Sequence, residues 1–273
     1  MGSKVLKTCC LIVASGKNYE KLGECAKNSF LAFHSDIDLF YVTDLSLWNV
    51  SGGANVSRLS IALQLFEKGY EKIILLGADT ITCSRLEEFL EKDNFDILPT
   101  LCYPYQYVSP RVCSPDKETH LNADVVCFTS PEAVRKIIEL APLHKEYNEQ
   151  GALNEVVWKK EYGFAYNIVE HPYQDSKIVY NARAKGNVVA APGQKPWGQY
   201  TKKMFVSDDR LFTFDNKEIR VWHYCEGLGG LDKSTFEKLI NNWIFDWFNE
   251  DAKKYFKEKC NCGDFFEKKF TID

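Results

Sequence analysis

Asp79 stands just past a run of four apolar residues, Ile73, Ile74, Leu75 and Leu76, with Gly77 and Ala78 between. Such a run suits a strand buried on both faces, and an acid beyond its carboxyl end points into the crevice where open α/β sheets bind ligands. A carboxylate there is suited to a divalent cation, which would neutralise a diphosphate. Gly77 and Ala78 are small enough to let a ligand approach the backbone. Asp79, with Thr80 and Ser84, could equally cap a helix over residues 86–90.

Three more clusters follow in the chain. His120, Leu121, Asn122, Ala123 and Asp124 lead into a strand, and alternation places Asn122 and Asp124 on one face; an edge strand with solvated polar groups reads the same way. Glu149 and Gln150 lie at the mouth of a helix within residues 147–154, where Asn148 could also be a plain cap with an acid favoured by the helix dipole. His223 ends a late strand and is followed by Gly227, Gly229, Gly230 and Lys233, although a single histidine can be structural.

The elements that must position these groups read as an alternation. Residues 8–14 form a first strand, 19–33 a helix, 38–43 a strand, 55–66 a helix and 73–76 a strand, the pattern of a parallel sheet with right-handed crossovers. Further on, a short helix over 87–92, strands over 95–100 and 121–128, helices over 131–140 and 148–158, and strands over 165–169 and 219–224 are expected. Residues 101–119, with Pro104, Pro110 and Pro115, form a long loop of the kind that closes over a site. Residues 179–197 mix short β runs with Gly and Pro. A long helix over 233–255 carries Phe236, Ile240, Trp243 and Trp247 on one face, which packs on the domain or, with the nearby lysines, meets a membrane surface or partner.

Composition sets the bounds. A chain of 273 residues, 45% hydrophobic and 26% charged, can bury a full core, and a net charge of -4 without a basic stripe argues against nucleic-acid binding. No apolar run reaches the roughly 20 residues of a membrane span. Ten cysteines, several inside apolar runs and none in a paired framework, point to free thiols in a reducing, cytoplasmic compartment. Cys260 and Cys262 make a lone CxC with no second pair at zinc-finger spacing.

Over residues 5–225 the chain resembles the GT-A glycosyltransferases, and within them family 8, the glycogenin and lipopolysaccharide galactosyltransferase group with its viral relatives. The resemblance rests on Arg58, on LLGADT in the place of an Asp-X-Asp, on LNADV, on EQGALN and on VWHY. It implies an α/β fold with a Rossmann-like mixed sheet flanked by helices, a transferase domain over 1–230 and a C-terminal helical extension over 231–273. Asp79 and His223 would then ligate Mn2+ or Mg2+ on the diphosphate of a UDP-sugar donor. Ala14, Ser15 and Tyr19 would hold the uracil, Ala78 and Arg58 would meet the donor, and Lys233 would reach a phosphate. Asn122 and Asp124 would face the sugar, with Glu149 and Gln150 near the reacting carbon. Gly77 stands where the first acid of Asp-X-Asp is expected, Asp124 where a glycine is, and Lys195, Pro196 and Trp197 fall earlier than that family's closing Lys-Pro-Trp.

The activity implied is transfer of a hexose from a UDP-sugar to a hydroxyl of a glycan or protein acceptor, metal-dependent and retaining, with Gln150 beneath an oxocarbenium-like centre. Asp124 and Glu149 keep open an inverting route with a carboxylate as general base. A sugar nucleotidyltransferase would want a Gly-rich basic loop after the first strand, for which Ser15-Gly16-Lys17 is a poor match. Gly77 motivates the remaining alternative, a non-catalytic module that binds sugar nucleotide or glycan.

Overall fold

The computed structural model describes residues 6–50, 54–101, 121–144, 148–169, 177–179, 182–183, 204–213, 215–223, 237 and 249–263. The expected loop beyond Leu101, His120, Tyr147, most of 179–197, Lys233 and the apolar face of Phe236, Ile240, Trp243 and Trp247 lie outside them.

The chain begins with β1 (Thr8–Val13), α1 (Lys17–Phe33), β2 (Asp38–Val42), α2 (Ala54–Glu67) and β3 (Lys72–Gly77). After β3 come β4 (Thr80–Thr82), α3 (Glu87–Glu91), β5 (Ile97–Leu101), β6 (Leu121–Phe128), α4 (Pro131–Leu140) and α5 (Asn148–Trp158). Five of these strands form the central sheet in the order β2-β1-β3-β6-β5. β1 lies parallel to both β2 and β3, whereas β6 runs antiparallel to β3 and to β5, so the sheet is mixed.

Both faces of that sheet are covered, and alternation along each strand divides the side chains between two cores. Cys9, Leu11, Ile73 and Leu75 join Leu59, Leu65, Val134, Ile137, Leu153 and Val156 on the face covered by α2, α4 and α5. Cys10, Ile12, Ile74 and Leu76 pack with Ala26, Phe30, Leu86 and Phe89 on the face covered by α1 and α3. Because α1 and α2 leave the sheet on opposite faces, the strand order turns at β1 and β3, and the crevice at such a switch point opens at their carboxyl ends.

Two smaller sheets complete the described fold. β7 (Ile178–Val179), β9 (Phe205–Ser207), β10 (Arg210–Phe212) and β11 (Glu218–Ile219) run in the order β7-β11-β10-β9, once β8 (Ala182–Arg183) is set aside. β4, β12 (Val221–His223) and β8 form a three-stranded sheet in the order β4-β12-β8. A final helix, α6 (Glu250–Glu258), docks through the Tyr255 hydroxyl, which donates to the Cys83 carbonyl, and through Phe256, whose ring lies 6.3 Å from that of Trp222.

Several expectations need correction. Residues 165–169 form no strand: Tyr166 makes a single bridge to Ile97, and the Asp96 carboxylate takes the Ala165 N–H at 2.7 Å, ending the pairing. The strand expected over 219–224 is two strands in two sheets, split where Arg220 turns its guanidinium to Ser84, Glu218 and Glu88. The single helix expected over 233–255 does not run through Asn249, which is extended (φ -76, ψ 165) and accepts from the Ala252 N–H as the N-cap of α6. The residues after Asp79 form β4, not a cap turn, before α3 begins at Glu87.

Among the described residues no helix is long and apolar enough to cross a membrane. The cysteines at 9, 10, 25, 83, 127, 260 and 262 are buried free thiols.

Candidate functional site

Local geometry at the end of β3 is set by a tight turn in which the Thr80 hydroxyl donates to the Gly77 carbonyl at 2.8 Å. The chain then enters β4, which pairs antiparallel with β12 so that His223 lies opposite Thr80. That register brings His223 Nε2 to 3.1 Å from Asp79 Oδ2. His223 is buried and Asp79 half-buried, with the pair at the mouth of the crevice.

Asp124 reaches the same place from β6. The ladder between β5 and β6 slips here: Pro99 pairs with Val126, but the next residue, Thr100, pairs with Asn122. The extra β6 residues bulge out, and such bulges re-aim side chains beside binding sites. Asp124 Oδ2 stands 4.0 Å from His223 Nε2, and Asp124 Oδ1 accepts from Arg58 Nη1 at 2.5 Å.

Arg58, on α2, extends across to α5 as well, where its Nη2 donates to Glu149 Oε1 at 2.8 Å. One guanidinium thus holds two carboxylates from two different elements. Glu149 is buried, and burial pushes its carboxyl pKa up, opposed by Arg58 and reinforced by the charge of Asp124. Among the described residues Glu149 Oε2 and Arg58 Nε have no hydrogen-bond partner, so each has bonding capacity unused by the fold.

Gln150 follows on α5, half-buried, with its Oε1 accepting from Asn122 Nδ2 at 3.2 Å and from the Ala123 N–H at 3.3 Å. Asn122 Oδ1 in turn accepts the Asp124 N–H at 2.8 Å. Asn122 is fully buried with both ends of its amide engaged, so it orients Gln150 and Asp124 from below. Asn148, just ahead of Glu149, adopts a left-handed φ of 46, a conformation asparagine tolerates better than most residues.

On the other wall, the Ala14 N–H donates to the Val42 carbonyl at 2.8 Å, and its side chain is buried. Gly23 makes this possible, since a Cβ at that position would come within 2.4 Å of Ala14 Cβ and 2.9 Å of the Tyr41 ring. Gly16 then turns the chain with φ 96 into α1, leaving Ser15 and Tyr19 half-buried at the crevice edge. Ala78 is buried beside Asp79. The structure therefore brings Asp79, His223, Asp124, Arg58, Glu149, Gln150 and Asn122 into one connected group at the carboxyl end of β3, with Ala14, Ser15 and Tyr19 at the end of the neighbouring strand.

One positioning residue has no role in the sequence reading. Asn154, fully buried, accepts the Leu121 N–H at 3.0 Å and donates to the carbonyls of Leu121 at 2.9 Å and Gln150 at 2.7 Å. It clamps the start of β6 to the first turn of α5. Its place at the end of EQGALN, next to Glu155, gives no local signal of that task.

Asp79 and His223, hydrogen-bonded to each other here, are the pair that could hold a cation. Two ligands on bonds of about 2.1 Å at right angles stand about 3 Å apart, the separation of Asp79 Oδ2 and His223 Nε2. Among the described residues no group of three or more His, Cys, Asp or Glu side chains could hold a metal ion.

No protein-family profile matches the sequence, and no curated protein matches it. Solved structures do match. The apo structure of WbbM, a bifunctional glycosyltransferase, covers 94% of this chain and 52% of its own at 14% identity, with a TM-score of 0.51. The fold is that of the GT-A glycosyltransferases. This chain spans about half the length of WbbM. The galactosyltransferase LgtC, in complex with donor and acceptor sugar analogues, matches at 13% identity over 84% of this chain and 94% of its own, with a TM-score of 0.46. A glycosyltransferase involved in glycosylation of the major capsid of PBCV-1 matches at 17% identity over 62% of this chain and 84% of its own, with a TM-score of 0.43.

Proposed function

We propose that the protein transfers a hexose from a uridine diphosphate sugar to a hydroxyl of a glycan or protein acceptor, with Mn2+ or Mg2+ and with retention of anomeric configuration. The observation that carries this reading is the pairing of Asp79 with His223 at 3.1 Å, at the carboxyl end of β3 and on the switch point of a GT-A sheet. The solved structures of the same fold are themselves glycosyltransferases, which supports glycosyl transfer as the class of reaction.

Asp79 and His223 would hold the cation, which when bound supplies positive charge to a departing diphosphate. Ser15 and Tyr19 edge the place for the base at the end of β1, and Ala78 gives the donor a close approach to the backbone. Arg58 fixes Asp124 and Glu149 in one orientation, and prior fixing of charged groups is what makes electrostatic stabilisation effective in a water-poor site. Gln150 offers its amide beside Asp124, held by β6.

Retention is what the resemblance implies. An inverting base would have to take a proton from the acceptor, and each acid has one oxygen committed to Arg58. The acceptor then approaches from the face of the leaving diphosphate and passes its proton to the departing phosphate oxygen.

The test is incubation with a panel of UDP-hexoses, Mn2+ and candidate glycans. Release of UDP should depend on metal, and nuclear magnetic resonance of the product should give the anomeric configuration of the donor. Pyrophosphate release from a nucleoside triphosphate and a sugar phosphate would replace this reading with that of a nucleotidyltransferase. UDP binding without turnover of any donor would replace it with a binding module.

A further inference from the structure

Gly151 sits in the first turn of α5, and glycine is a poor helix former. Its backbone does not require glycine, because the left-handed glycines among the described residues are Gly16, Gly69 and Gly163. The requirement is spatial. A Cβ at 151 would lie 2.7 Å from Cγ and Nδ1 of His144 and 2.8 Å from its Cβ, so the imidazole rests directly on the helix backbone. His144, half-buried, follows the short turn Ala141–Leu143 that ends α4.

Two further contacts tie His144 to α5. Its carbonyl accepts the Asn148 N–H at 2.6 Å, and its Nε2 stands 2.7 Å from Glu155 Oε2. Lys159 Nζ and the Tyr162 hydroxyl donate to the other oxygen of Glu155, each at 2.8 Å. Burial raises the Glu155 carboxyl, but those two bonds and the one to His144 bring it down to about 2, so it is ionised and can only accept. Nε2 of His144 is therefore the donor. The ring is pressed on Gly151 at one end and bonded to Glu155 at the other.

We propose that His144 is a positioning residue for the site, holding the first turn of α5, and hence Glu149 and Gln150, where Arg58 and β6 meet them. The first turn of a helix is its least secured, since its leading N–H groups have no acceptor inside the helix. Here that turn presents two residues in different directions, Glu149 to Arg58 at 2.8 Å and Gln150 to Asn122 and the Ala123 N–H at 3.2 and 3.3 Å. Asn154 secures the turn from the β6 side, and His144 secures it from the α4 side. The inference deepens the sugar-transfer reading above and rests on it for the role of Gln150.

The experiment compares the full chain as wild type, His144→Phe, His144→Gln and Gly151→Ala. Phe keeps a ring over Gly151 but loses the bond to Glu155, whereas Gln carries an amide N–H in the place of the imidazole Nε2–H. Hydrogen exchange is followed by nuclear magnetic resonance at the Ala152 and Leu153 amides, whose helical acceptors are the first carbonyls of α5. UDP affinity is measured by calorimetry, and transfer from a UDP-hexose with Mn2+ by steady-state kinetics.

His144→Phe should exchange faster at both amides and transfer sugar with kcat lower by about tenfold or more, with UDP affinity unchanged. His144→Gln should restore exchange and kcat towards wild type, a rescue that mere filling of space does not produce. Gly151→Ala favours the helix by propensity yet displaces the ring, so its kcat should fall as well, and it carries the kinetic test if His144→Phe does not fold. Unchanged exchange and kcat in His144→Phe, even with a lower urea midpoint, make His144 a packing residue and overturn the inference. Unchanged kcat in Gly151→Ala overturns it too, as does a loss of UDP affinity that matches the loss of kcat. A wild type that turns over no UDP-hexose overturns the sugar-transfer reading, and the exchange rates then decide by themselves whether His144 secures the turn carrying Glu149 and Gln150.

Discussion

His223 Nε2 lies 3.1 Å from Asp79 Oδ2, although 144 residues separate them in the chain. The contact exists because the three-residue strands β4 and β12 pair in a single register, Val221 with Thr82, Trp222 with Ile81 and His223 with Thr80. Replacing His223 removes the proposed ligand atom while leaving the backbone pairing. We therefore expect His223→Ala to lower the Mn2+-dependent part of UDP binding by about tenfold or more, measured calorimetrically, with UDP binding in the absence of metal unchanged. Equal loss with and without Mn2+ would mean that His223 shapes the nucleotide pocket instead of holding a cation.

Arg58 carries the charge balance of the site. With 11% of its side chain exposed, it separates two acids that would otherwise face each other. Arg58→Met strands both of them, and breaking a buried ion pair from one side typically costs about 3–5 kcal/mol. The pH dependence has a definite sign. A carboxyl whose folded pKa is raised stabilises the fold below its unfolded pKa and loses that contribution as pH rises through the folded pKa. Burial already raises Glu149, and losing Arg58 removes the opposing attraction. Urea midpoints of Arg58→Met should thus lie further below wild type at pH 7.5 than at pH 5, and a difference that does not vary with pH would count against the account.

Much of the first 100 residues was legible because β1 and β3 are nearly continuous apolar runs and the crossover helices carry apolar residues at helical spacing, patterns that survive without tertiary context. Asp79 at the end of β3 followed from that alternation alone. What joins it to its partners was not legible. β4 and β12 are too short to show a period, and their pairing is non-local. The turn between β9 and β10 uses Asp208 and Asp209 with φ of 48 and 58, where the recognisable hairpin signal is Asn or Asp followed by Gly. The slip that re-aims Asp124 depends on β5 meeting β6 out of step after Pro99, and no residue type within β6 announces it. Arg58 was singled out for a donor contact, whereas its two ion pairs span 66 and 91 residues of sequence and leave no local trace.

His34 supplies a stability switch remote from the site. It is fully buried, stacks on Phe30 at 4.5 Å, contacts the Phe30 carbonyl through Nδ1, and accepts the Leu86 N–H through Nε2 at 2.9 Å. Accepting at Nε2 requires the neutral ring, and burial lowers its pKa from 6.5 to about 4, with the Phe30 carbonyl opposing and the Arg85 charge assisting. Below pH 6.5 the unfolded chain takes up a proton that the folded chain refuses, so stability falls as pH drops from 6.5 towards 4. At about 1.4 kcal/mol per unit the loss is up to about 3 kcal/mol. His34→Gln removes the titration, and its urea stability should fall less than that of wild type over that interval; parallel curves would assign the acid sensitivity elsewhere.

Asn154 links the fold to the chemistry. It satisfies both the N–H and the carbonyl of Leu121 at the start of β6 and also bonds the Gln150 carbonyl, so the strand that orients Gln150 and the helix that carries it are tied at one buried amide. Asn154→Leu keeps the shape but orphans both polar groups of Leu121, at about 1–3 kcal/mol for each buried group left unpaired. Asn154→Asp retains the acceptor for the Leu121 N–H and loses the two donated bonds, so its cost should be of similar kind but leave that N–H satisfied. Because Asn122 and Ala123, which hold Gln150 Oε1, directly follow Leu121, both variants should lower kcat for sugar transfer while changing the affinity for UDP much less. Urea unfolding and steady-state kinetics on the same preparations separate the two effects. A destabilised Asn154→Leu with unaltered kcat would leave Asn154 as a structural clamp without influence on Gln150.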